Sequence, residues 1–156
     1  MVKPVTQPIP AAPLADDPMW YQDAVIYELH VRGFTKRANS GVSQDKRGTF
    51  GGLVEKIPYL KDLGVTALWI NPVQLQQARG MPAQARGVPS FTHEGFHGYW
   101  MHDFEATDPH FGSVEDLKHL VDEGRKRGIE VLLDVVLNHT GYTSSYSGRR
   151  TSAGES

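Results

Sequence analysis

The nine residues from Ile129 to Leu137 constrain the fold of this chain more than any other segment. They read Ile-Glu-Val-Leu-Leu-Asp-Val-Val-Leu, an almost unbroken run of aliphatic side chains rich in β-branched residues. Such a run favours a strand, and strands with so few polar positions are typical of parallel sheets that are covered on both faces. We therefore predict a buried parallel strand over residues 129–137 and an α/β fold.

Two further strands are predicted upstream. Residues 24–31 are β-branched and aromatic, and residues 65–70 form a short apolar run that ends at the turn-favouring pair Asn71-Pro72. The segments 33–52 and 71–112, which carry many glycine or polar residues, are predicted to be loops. The strands are thus separated by enough chain for crossover connections.

A first helix is predicted between these two strands, because apolar residues recur at helical spacing from Leu53 to Leu63. Gly64 follows at the position of a C-terminal cap. Pro58 would remove one backbone hydrogen bond from this helix. We therefore expect either a helix that begins near Glu55 or a helix that is kinked.

A second helix has the clearest start signal in the chain. Ser113 is a suitable N-cap, and Asp116 stands three residues later in an approximate capping box. Apolar residues from Leu117 to Gly124 form one face, and Gly128 ends the helix. Strands alternating with helices predict a parallel sheet, either doubly wound or closed into a (β/α) barrel.

Composition excludes several classes of function. Sixteen Lys and Arg against eighteen Asp and Glu give a formal net charge of -2, so we expect neither nucleic acid nor a membrane surface as partner. No stretch approaches the roughly 20 apolar residues of a membrane span. Because the chain has no cysteine, it has no disulfide, thiolate metal site or cysteine nucleophile.

The two ends differ in composition from the middle. Residues 1–19 are rich in proline and alanine and predict a flexible, extended leader without the apolar core of a signal peptide, which favours a cytoplasmic location. Residues 141–156 are Ser, Gly, Tyr and Arg without apolar periodicity and predict a loop. Residues 20–140 are therefore the predicted globular part.

Polar residues stand at the end of the third predicted strand, where parallel α/β folds place their functional groups. Asp134 interrupts the apolar run, and Asn138 and His139 follow it. Alternation predicts Asp134 and Asn138 on one side of the strand, with His139 on the other side or in the next turn. A buried carboxylate needs hydrogen-bond partners, so Asp134 is interpreted mainly as a support for neighbouring loops. The sequence from Asn138 to Thr140 also matches a glycosylation sequon, which we regard as a chance match.

The segment between the second strand and the second helix is dense in rings. Three interpretations are open: rings that pack the loop onto the sheet, a platform that stacks on sugars, or a zinc site built on His93 and His97. Glycines at 95 and 98 argue against the helix that the zinc site would need. The rings and imidazoles are Phe91, His93, Phe96, His97, Tyr99, Trp100, His102, Phe104 and His110.

Four blocks of this sequence resemble the α-amylase family of glycoside hydrolases. They are residues 25–28, 59–72, 97–100 and 134–139, and their order and spacing are specific to that family. The resemblance covers roughly residues 20–140. It implies a partial TIM (β/α)8 barrel that holds the first three strands and first two helices. This part would end where domain B starts, the smaller domain that the family inserts after the third barrel strand. The tail from residue 141 would then be the start of domain B or a truncated end.

The resemblance also implies roles for individual residues. Tyr99 would stack on the sugar at the cleavage subsite, and His139 would donate a hydrogen bond to it. His97 and Trp100 would line the same pocket, with an α-glucan or maltooligosaccharide as the substrate. Asn138 would be a calcium ligand through its side-chain oxygen, although one amide oxygen cannot hold the ion alone. Asp134 would be the structural carboxylate beneath them.

No catalytic residue is assigned. The family's nucleophile lies in a Gly-Phe-Arg-x-Asp-like block and its acid/base is a later Glu, and neither block occurs in these 156 residues. We do not assign Asp103, Glu105 or Asp108 to catalysis, because no matching block surrounds them.

The favoured hypothesis is the N-terminal fragment of a retaining α-glucan hydrolase or transglycosylase, itself inactive and prone to self-associate through open sheet edges. The alternatives are a non-catalytic α-glucan-binding or complementing subunit, and an unrelated α/β protein whose rings only pack.

Overall fold

The computed structural model describes residues 21–84 and 86–146. Its helices and strands follow in chain order. They are β1 (Ile26–Leu29), α1 (Val31–Thr35), α2 (Phe50–Asp62), β2 (Ala67–Ile70), β3 (Gln74–Gln76), β4 (Met81–Ala83), β5 (Phe91–His93), β6 (Met101–Thr107), α3 (Val114–Arg125) and β7 (Glu130–Leu133). Single 3-10 turns lie at Ala38–Ser40, Gln44–Lys46 and Gly95–His97.

A three-stranded parallel sheet forms the centre of the fold. Its strand order is β1-β2-β7, and Leu29, Ile70 and Leu133 lie at the same level across it. α2 lies in the connection from β1 to β2, and α3 lies in the connection from β2 to β7. The predicted α/β fold with strands and helices in alternation is confirmed.

The core lies between this sheet and the helices α2 and α3, which also pack on each other. Phe50, Leu53, Ile57 and Leu60 recur at helical spacing on α2 and are fully buried. Burying each such side chain contributes about 1.5–3 kcal/mol to stability. The remaining fully buried core residues include Val31, Val65, Leu68, Ile70, Leu120 and Ile129.

The first helix starts earlier than the sequence predicted. α2 begins at Phe50, so of the two predicted alternatives the start near Glu55 is wrong. Pro58 lies inside the helix, and the kink stays a prediction. Thr49 is the N-cap, and its side chain accepts a hydrogen bond of 3.3 Å from the backbone N–H of Gly52. The buried aromatic ring of Phe50 anchors this first turn. The predicted helix was based on the aliphatic residues from Leu53 onward and did not include Phe50.

The other helix signals are confirmed. Ser113 and Asp116 form a reciprocal capping box at the start of α3. Gly64 and Gly128 follow their helices with φ of +89° and +68°, in the left-handed region expected of a C-terminal cap.

The strands are shorter than predicted. The predicted strand 24–31 is regular only over Ile26–Leu29, because Val31 already opens α1. The predicted strand 129–137 ends at Leu133, and Leu137 is 91% exposed. The expectation that this whole segment is covered on both faces is therefore wrong for its second half.

The two segments predicted as loops contain regular structure. Within residues 71–112, β3 pairs antiparallel with β6 and β4 pairs antiparallel with β5. Within residues 33–52 lie part of α1, two 3-10 turns and the first turn of α2. The short, polar strands in the 71–112 segment carry no clear alternation, so their pairing could not be predicted.

None of the helices in the described part of the chain is long and apolar enough to span a membrane. The proline-rich leader at residues 1–19 lies outside the described residues. Of the predicted loop 141–156, residues 141–146 are described and form turns, while the rest lies outside the described residues.

Candidate functional site

A chain of side-chain hydrogen bonds connects the carboxyl ends of the three parallel strands. Asn71, just after β2, donates from Nδ2 to Glu28 Oε1 at 3.3 Å and to the hydroxyl oxygen of Tyr99 at 3.2 Å. The Tyr99 hydroxyl in turn donates to Oδ2 of Asp134, just after β7, at 2.8 Å. Tyr99 is thus held between the ends of two neighbouring strands.

The backbone of the sheet places these residues. The N–H of Asn71 donates to the carbonyl of Leu29, and the N–H of Asp134 donates to the carbonyl of Ile70, both at 2.9 Å. These bonds extend the parallel ladder by one residue beyond β2 and β7. The amide and the carboxylate therefore leave the sheet at one edge, where parallel α/β proteins bind ligands.

The Tyr99 hydroxyl donates to the carboxylate of Asp134, and this contact affects its pKa. The hydrogen bond to the carboxylate, followed by burial of the ring, raises the pKa of Tyr99 above its usual value. The hydroxyl therefore remains a donor to Asp134 throughout the neutral pH range. The role of Asp134 as a support for neighbouring loops stays a prediction.

His97 lies against the ring of Tyr99. The two rings are stacked, with centroids 5.8 Å apart and planes inclined by 21°. His97 Nδ1 accepts a 2.9 Å hydrogen bond from the backbone N–H of Tyr99. Burial, and then the nearby His93 and His30, lower the pKa of His97, so the ring is neutral and its Nε2 carries the proton.

His139 reaches the other side of the Tyr99 backbone. Its Nε2 lies 3.1 Å from the Tyr99 carbonyl oxygen, and its Nδ1 lies 3.4 Å from Nδ2 of Asn138. The carbonyl can only accept, so Nε2 donates and Nδ1 accepts from the amide. Because the regular strand ends at Leu133, the alternation predicted for residues 134–138 does not apply there, and Asp134 and His139 both contact Tyr99.

Trp100 lies in a cluster of rings. It meets His93, His97 and Tyr142 edge to face, with centroids 4.7, 4.9 and 5.3 Å apart. Its backbone N–H donates to Oε1 of Gln76 at 3.0 Å. These contacts fix the indole beside His97 and join the 95–97 turn to β3.

Gly98 lets this turn approach the end of β2. Its φ is +89°, and a Cβ built on it would lie 3.0 Å from the carbonyl oxygen of Pro72. An L side chain at position 98 would meet both a strained backbone and a close contact.

Three residues of the site were missed from sequence. Glu28 and Asn71 belong to the hydrogen-bond chain, and His30 holds the 95–97 turn. His30 Nε2 donates to the Phe96 carbonyl at 2.7 Å, and the two rings stack with centroids 4.5 Å apart. The available signal was the position of these polar residues at the carboxyl ends of β1 and β2, where parallel α/β folds place functional groups.

The described residues do not complete a metal site. The part of the chain that the structure describes has no group of three or more His, Cys, Asp or Glu side chains that could hold a metal ion. His93 and His97 lie in a strand and a 3-10 turn rather than one turn apart on a helix, although their ring centroids are 5.5 Å apart. Among the described residues no third ligand joins them to complete the zinc site. Asn138 offers one hard oxygen, whereas calcium takes six to eight.

A parallel sheet flanked by helices, with polar and aromatic groups gathered at its carboxyl edge, places this chain in the class of α/β proteins. The sequence model of the α-amylase catalytic domain matches residues 29–156. The chain therefore belongs to the α-amylase family, and the resemblance of its four sequence blocks to that family is confirmed.

Individual relatives agree with this assignment. The chain is 40% identical to an α-amylase of Streptomyces lividans over 99 residues, which are 64% of this chain and 10% of that protein. It is 40% identical to a trehalose synthase of Thermus thermophilus over 124 residues, 80% of this chain and 10% of that protein. The crystal structure of an α-amylase from Geobacillus thermoleovorans, complexed with acarbose, superposes with a TM-score of 0.62 and 36% identity over 81% of this chain and 25% of that one.

Proposed function

We propose that the protein acts on α-glucans as a retaining glycoside hydrolase or transglycosylase, and that residues 20–140 form the N-terminal part of its catalytic (β/α)8 barrel. In this proposal β1, β2 and β7 are the first three barrel strands, α2 and α3 are the first two barrel helices, and domain B starts after residue 140. Family membership and the strand order support this assignment. Since the chain spans about a tenth of the two curated relatives described above, its reaction remains a proposal.

The observation that carries the proposal is the fixation of Tyr99 from four directions. Its hydroxyl contacts Asn71 and Asp134, its amide donates to His97, and its carbonyl accepts from His139. A ring held this firmly at a strand edge loses little entropy when a sugar stacks on it. Tyr99 is accordingly the stacking platform of the proposed site.

The neighbouring residues complete the site. His139 offers an imidazole N–H to a sugar hydroxyl once substrate replaces its present backbone partner, and His97 and Trp100 form the adjoining wall. Asp134 orients Tyr99 from below. Asn138 would supply one oxygen to a calcium ion that needs further ligands from other parts of the protein, and the bound ion would fix the segment that carries His139.

The proposed chemistry needs two carboxyl groups about 5 Å apart across the scissile bond, one as nucleophile and one as acid/base. The acidic residues in and after β6 serve other purposes: Asp103 accepts from the Glu105 N–H at 2.8 Å, and Asp108 accepts from His110. We therefore expect these 156 residues alone to be inactive, with both catalytic groups supplied by other sequence.

Replacement of Tyr99 tests the proposed site. In the protein expressed from its complete reading frame, Tyr99→Ala should weaken maltotriose binding by about 1 kcal/mol or more, roughly fivefold, because the stacking face is lost. Isothermal titration calorimetry measures this. Tyr59→Ala removes a tyrosine that is 51% exposed on α2 and should leave affinity unchanged. Equal affinities in wild type and Tyr99→Ala would remove Tyr99 from the site.

A second candidate function, a non-catalytic α-glucan-binding or complementing subunit, is favoured by the exposed apolar residues that follow β7. Val135 and Leu137 are 51% and 91% exposed, as expected of a surface that another chain covers. The coding sequence after the Ser156 codon distinguishes the two. An in-frame Gly-Phe-Arg-x-Asp block supports the enzyme, whereas an immediate stop codon supports the subunit.

A further inference from the structure

A cavity of about 540 Å³ lies beside the 95–97 turn, and none of the residues predicted to contact sugar lines it. Its walls come from α1, from the segment after β3, from the 95–97 turn and from the turn that precedes α3. This volume lies within the range of about 300–1,000 Å³ found for small-molecule sites. Its lining includes the charged, polar and aromatic residues Arg32, Glu94, Phe96, Asp108 and His110.

Phe96 offers an accessible ring to this cavity. One face stacks on His30 at a centroid distance of 4.5 Å, yet the residue is 58% exposed. The stack, together with the 2.7 Å hydrogen bond from His30 to the Phe96 carbonyl, holds the ring in one orientation. An exposed aromatic ring that is already immobilised is a suitable surface for a flat apolar face of a ligand.

Two opposite charges at the cavity have no partners of their own. Within residues 21–84 and 86–146, the side chains of Arg32 and Glu94 make no hydrogen bond or ion pair. Asp108, in contrast, is buried and bonded to the backbone N–H and Nδ1 of His110. The cavity therefore presents the guanidinium of Arg32 as a hydrogen-bond donor and the carboxylate of Glu94 as an acceptor, both beside the fixed ring of Phe96.

This combination selects among ligand classes. A phosphate or other anion is disfavoured, because the carboxylates of Glu94 and Asp108 would repel it and Arg32 is the one cation without a partner among the described residues that line the cavity. A purely apolar ligand is disfavoured because it would leave the charges of Arg32 and Glu94 without a partner. A sugar ring has an apolar C–H face for Phe96 and hydroxyls that both donate and accept hydrogen bonds. Those hydroxyls match Glu94 as acceptor and Arg32 as donor.

We propose that this cavity is a second binding site for a short α-glucan segment, separate from the Tyr99 site, with one sugar ring on Phe96 and its hydroxyls bonded to Arg32 and Glu94. The identity of the sugar rests on the proposed function. Since Phe96 and His97 are adjacent in the 95–97 turn, one turn carries residues of both sites.

Calorimetric titration with maltotriose tests the second site in the protein expressed from its complete reading frame. We expect two equivalents to bind the wild type. The double variant Arg32→Gln, Glu94→Gln should lose at least tenfold in affinity at one site and keep the other unchanged. Tyr99→Ala should show the reverse pattern. The matched control Arg37→Gln, Glu115→Gln removes the same charges outside the cavity and should bind as the wild type does.

Replacement of the Phe96 ring is an independent test of the second site. Phe96→Leu should weaken the same site as the charge variants, whereas Phe91→Leu, which removes a 47% exposed ring outside the cavity, should not. Unchanged stoichiometry and affinities in the Arg32, Glu94 variant would overturn the second site. Loss of binding only at the cavity, with Tyr99→Ala silent, would instead contradict the proposed Tyr99 site. Absence of maltotriose binding by the wild type would overturn both.

Discussion

Tyr99 shows at the scale of a single residue how the fold fixes the ring that we propose as the sugar-stacking platform. Its hydroxyl joins Asn71 and Asp134 across two strand ends, and its amide and carbonyl are bonded to His97 and His139. Each polar group of the residue therefore has a partner, so the ring can stack without leaving an unsatisfied donor or acceptor behind it. The hydroxyl bonds to Asn71 and Asp134 and one ring face stacks on His97, so the proposed site would use the opposite face of the ring.

His30 acts at the same scale through both of its ring nitrogens. Nδ1 accepts from the N–H of Gly33 at 3.1 Å and caps α1, while Nε2 donates to the carbonyl of Phe96 at 2.7 Å. These two bonds require the neutral imidazole, and burial lowers the pKa of His30 in agreement with that requirement. One side chain thereby connects the end of β1 to the 95–97 turn.

The variant His30→Asn should keep the helix cap but lose the bond to Phe96. We expect the free energy of unfolding to fall by about 1 kcal/mol, the typical net value of one hydrogen bond. Urea unfolding monitored by circular dichroism measures it. His119→Asn changes an exposed histidine of α3 and serves as the control.

The same variant should change the pH dependence of stability. Because the pKa of His30 is lower in the folded than in the unfolded protein, the unfolded chain binds more protons as pH falls below about 6.5. His30 therefore makes wild-type stability decrease with falling pH in that range, and His30→Asn should show a weaker decrease. Parallel pH profiles for the two proteins would contradict this assignment.

At the scale of elements, the capping box of α3 agrees in sequence and structure. The Ser113 hydroxyl accepts from the Asp116 N–H at 3.1 Å, and the Asp116 carboxylate accepts from the Ser113 N–H at 2.8 Å. Ser113→Ala should lower the free energy of unfolding by about 1 kcal/mol because one N–H of the first turn loses its acceptor. Thermal unfolding compared with Ser90→Ala, an exposed serine outside helices and strands, measures this, and equal melting temperatures would contradict it.

Glu55 connects α2 to the 3-10 turn that precedes it. Its carboxylate accepts from the N–H and hydroxyl of Ser43, both at 2.9 Å, and pairs with Lys46 at 3.1 Å. The backbone N–H of Ser43, followed by the hydrogen bonds from Lys46 and from the Ser43 hydroxyl, lowers the pKa of Glu55 to about 2. The contact holds the connection between α1 and α2 against the middle of α2.

The lowered pKa of Glu55 defines a pH window. The carboxylate contributes its full stability above the unfolded pKa of about 4.3, and this contribution is lost as pH falls through about 2. Glu55→Gln should therefore melt below the wild type at pH 6, and the difference should shrink toward pH 2. Glu115→Gln changes an exposed glutamate of α3 and provides the comparison. A difference that stays constant from pH 6 to pH 2 would refute this role.

At the scale of the whole molecule, the parallel sheet ends in two strands, β1 and β7, that each pair with β2 in the described chain. Apolar residues near these edges are exposed, among them Ile26 at 48%, Leu133 at 42% and Leu137 at 91%. Unpaired strand edges with apolar side chains favour pairing with another chain. In the proposed barrel the same surfaces would be covered by further strands and helices.

We expect the 156-residue chain by itself to associate with increasing concentration. Sedimentation velocity should show species heavier than the 17.3 kDa monomer, and Val135→Lys with Leu137→Ser should reduce them. Val88→Lys introduces the same charge at a 52% exposed valine far along the chain from β7 and is the control. If the chain stays monomeric at every concentration, the prediction that it associates through its exposed sheet edges is wrong. Turnover of starch by that monomer would also contradict the proposed division of catalytic groups.

The sequence alone determined the features that depend on neighbouring residues. The capping box at Ser113, the glycine caps and the order of strands and helices follow from short-range patterns. The strand predicted over residues 65–70 is regular over Ala67–Ile70, and the four sequence blocks identified the family. The start of α2 near Glu55 was predicted because Pro58 is unfavourable inside a helix. The true start at Phe50 depends on the burial of that ring against distant residues such as Phe111, which local patterns do not show.

Only the tertiary structure decided which side chains meet. Glu28, Asn71, Tyr99 and Asp134 form one hydrogen-bond chain whose successive members are 28 to 43 positions apart in the sequence. They meet because parallel pairing brings the carboxyl ends of β1, β2 and β7 to one edge. The antiparallel pairing of β3 with β6 likewise depends on strands that carry no periodic signal of their own. Local patterns set the elements, whereas long-range pairing placed Tyr99 between Asn71 and Asp134.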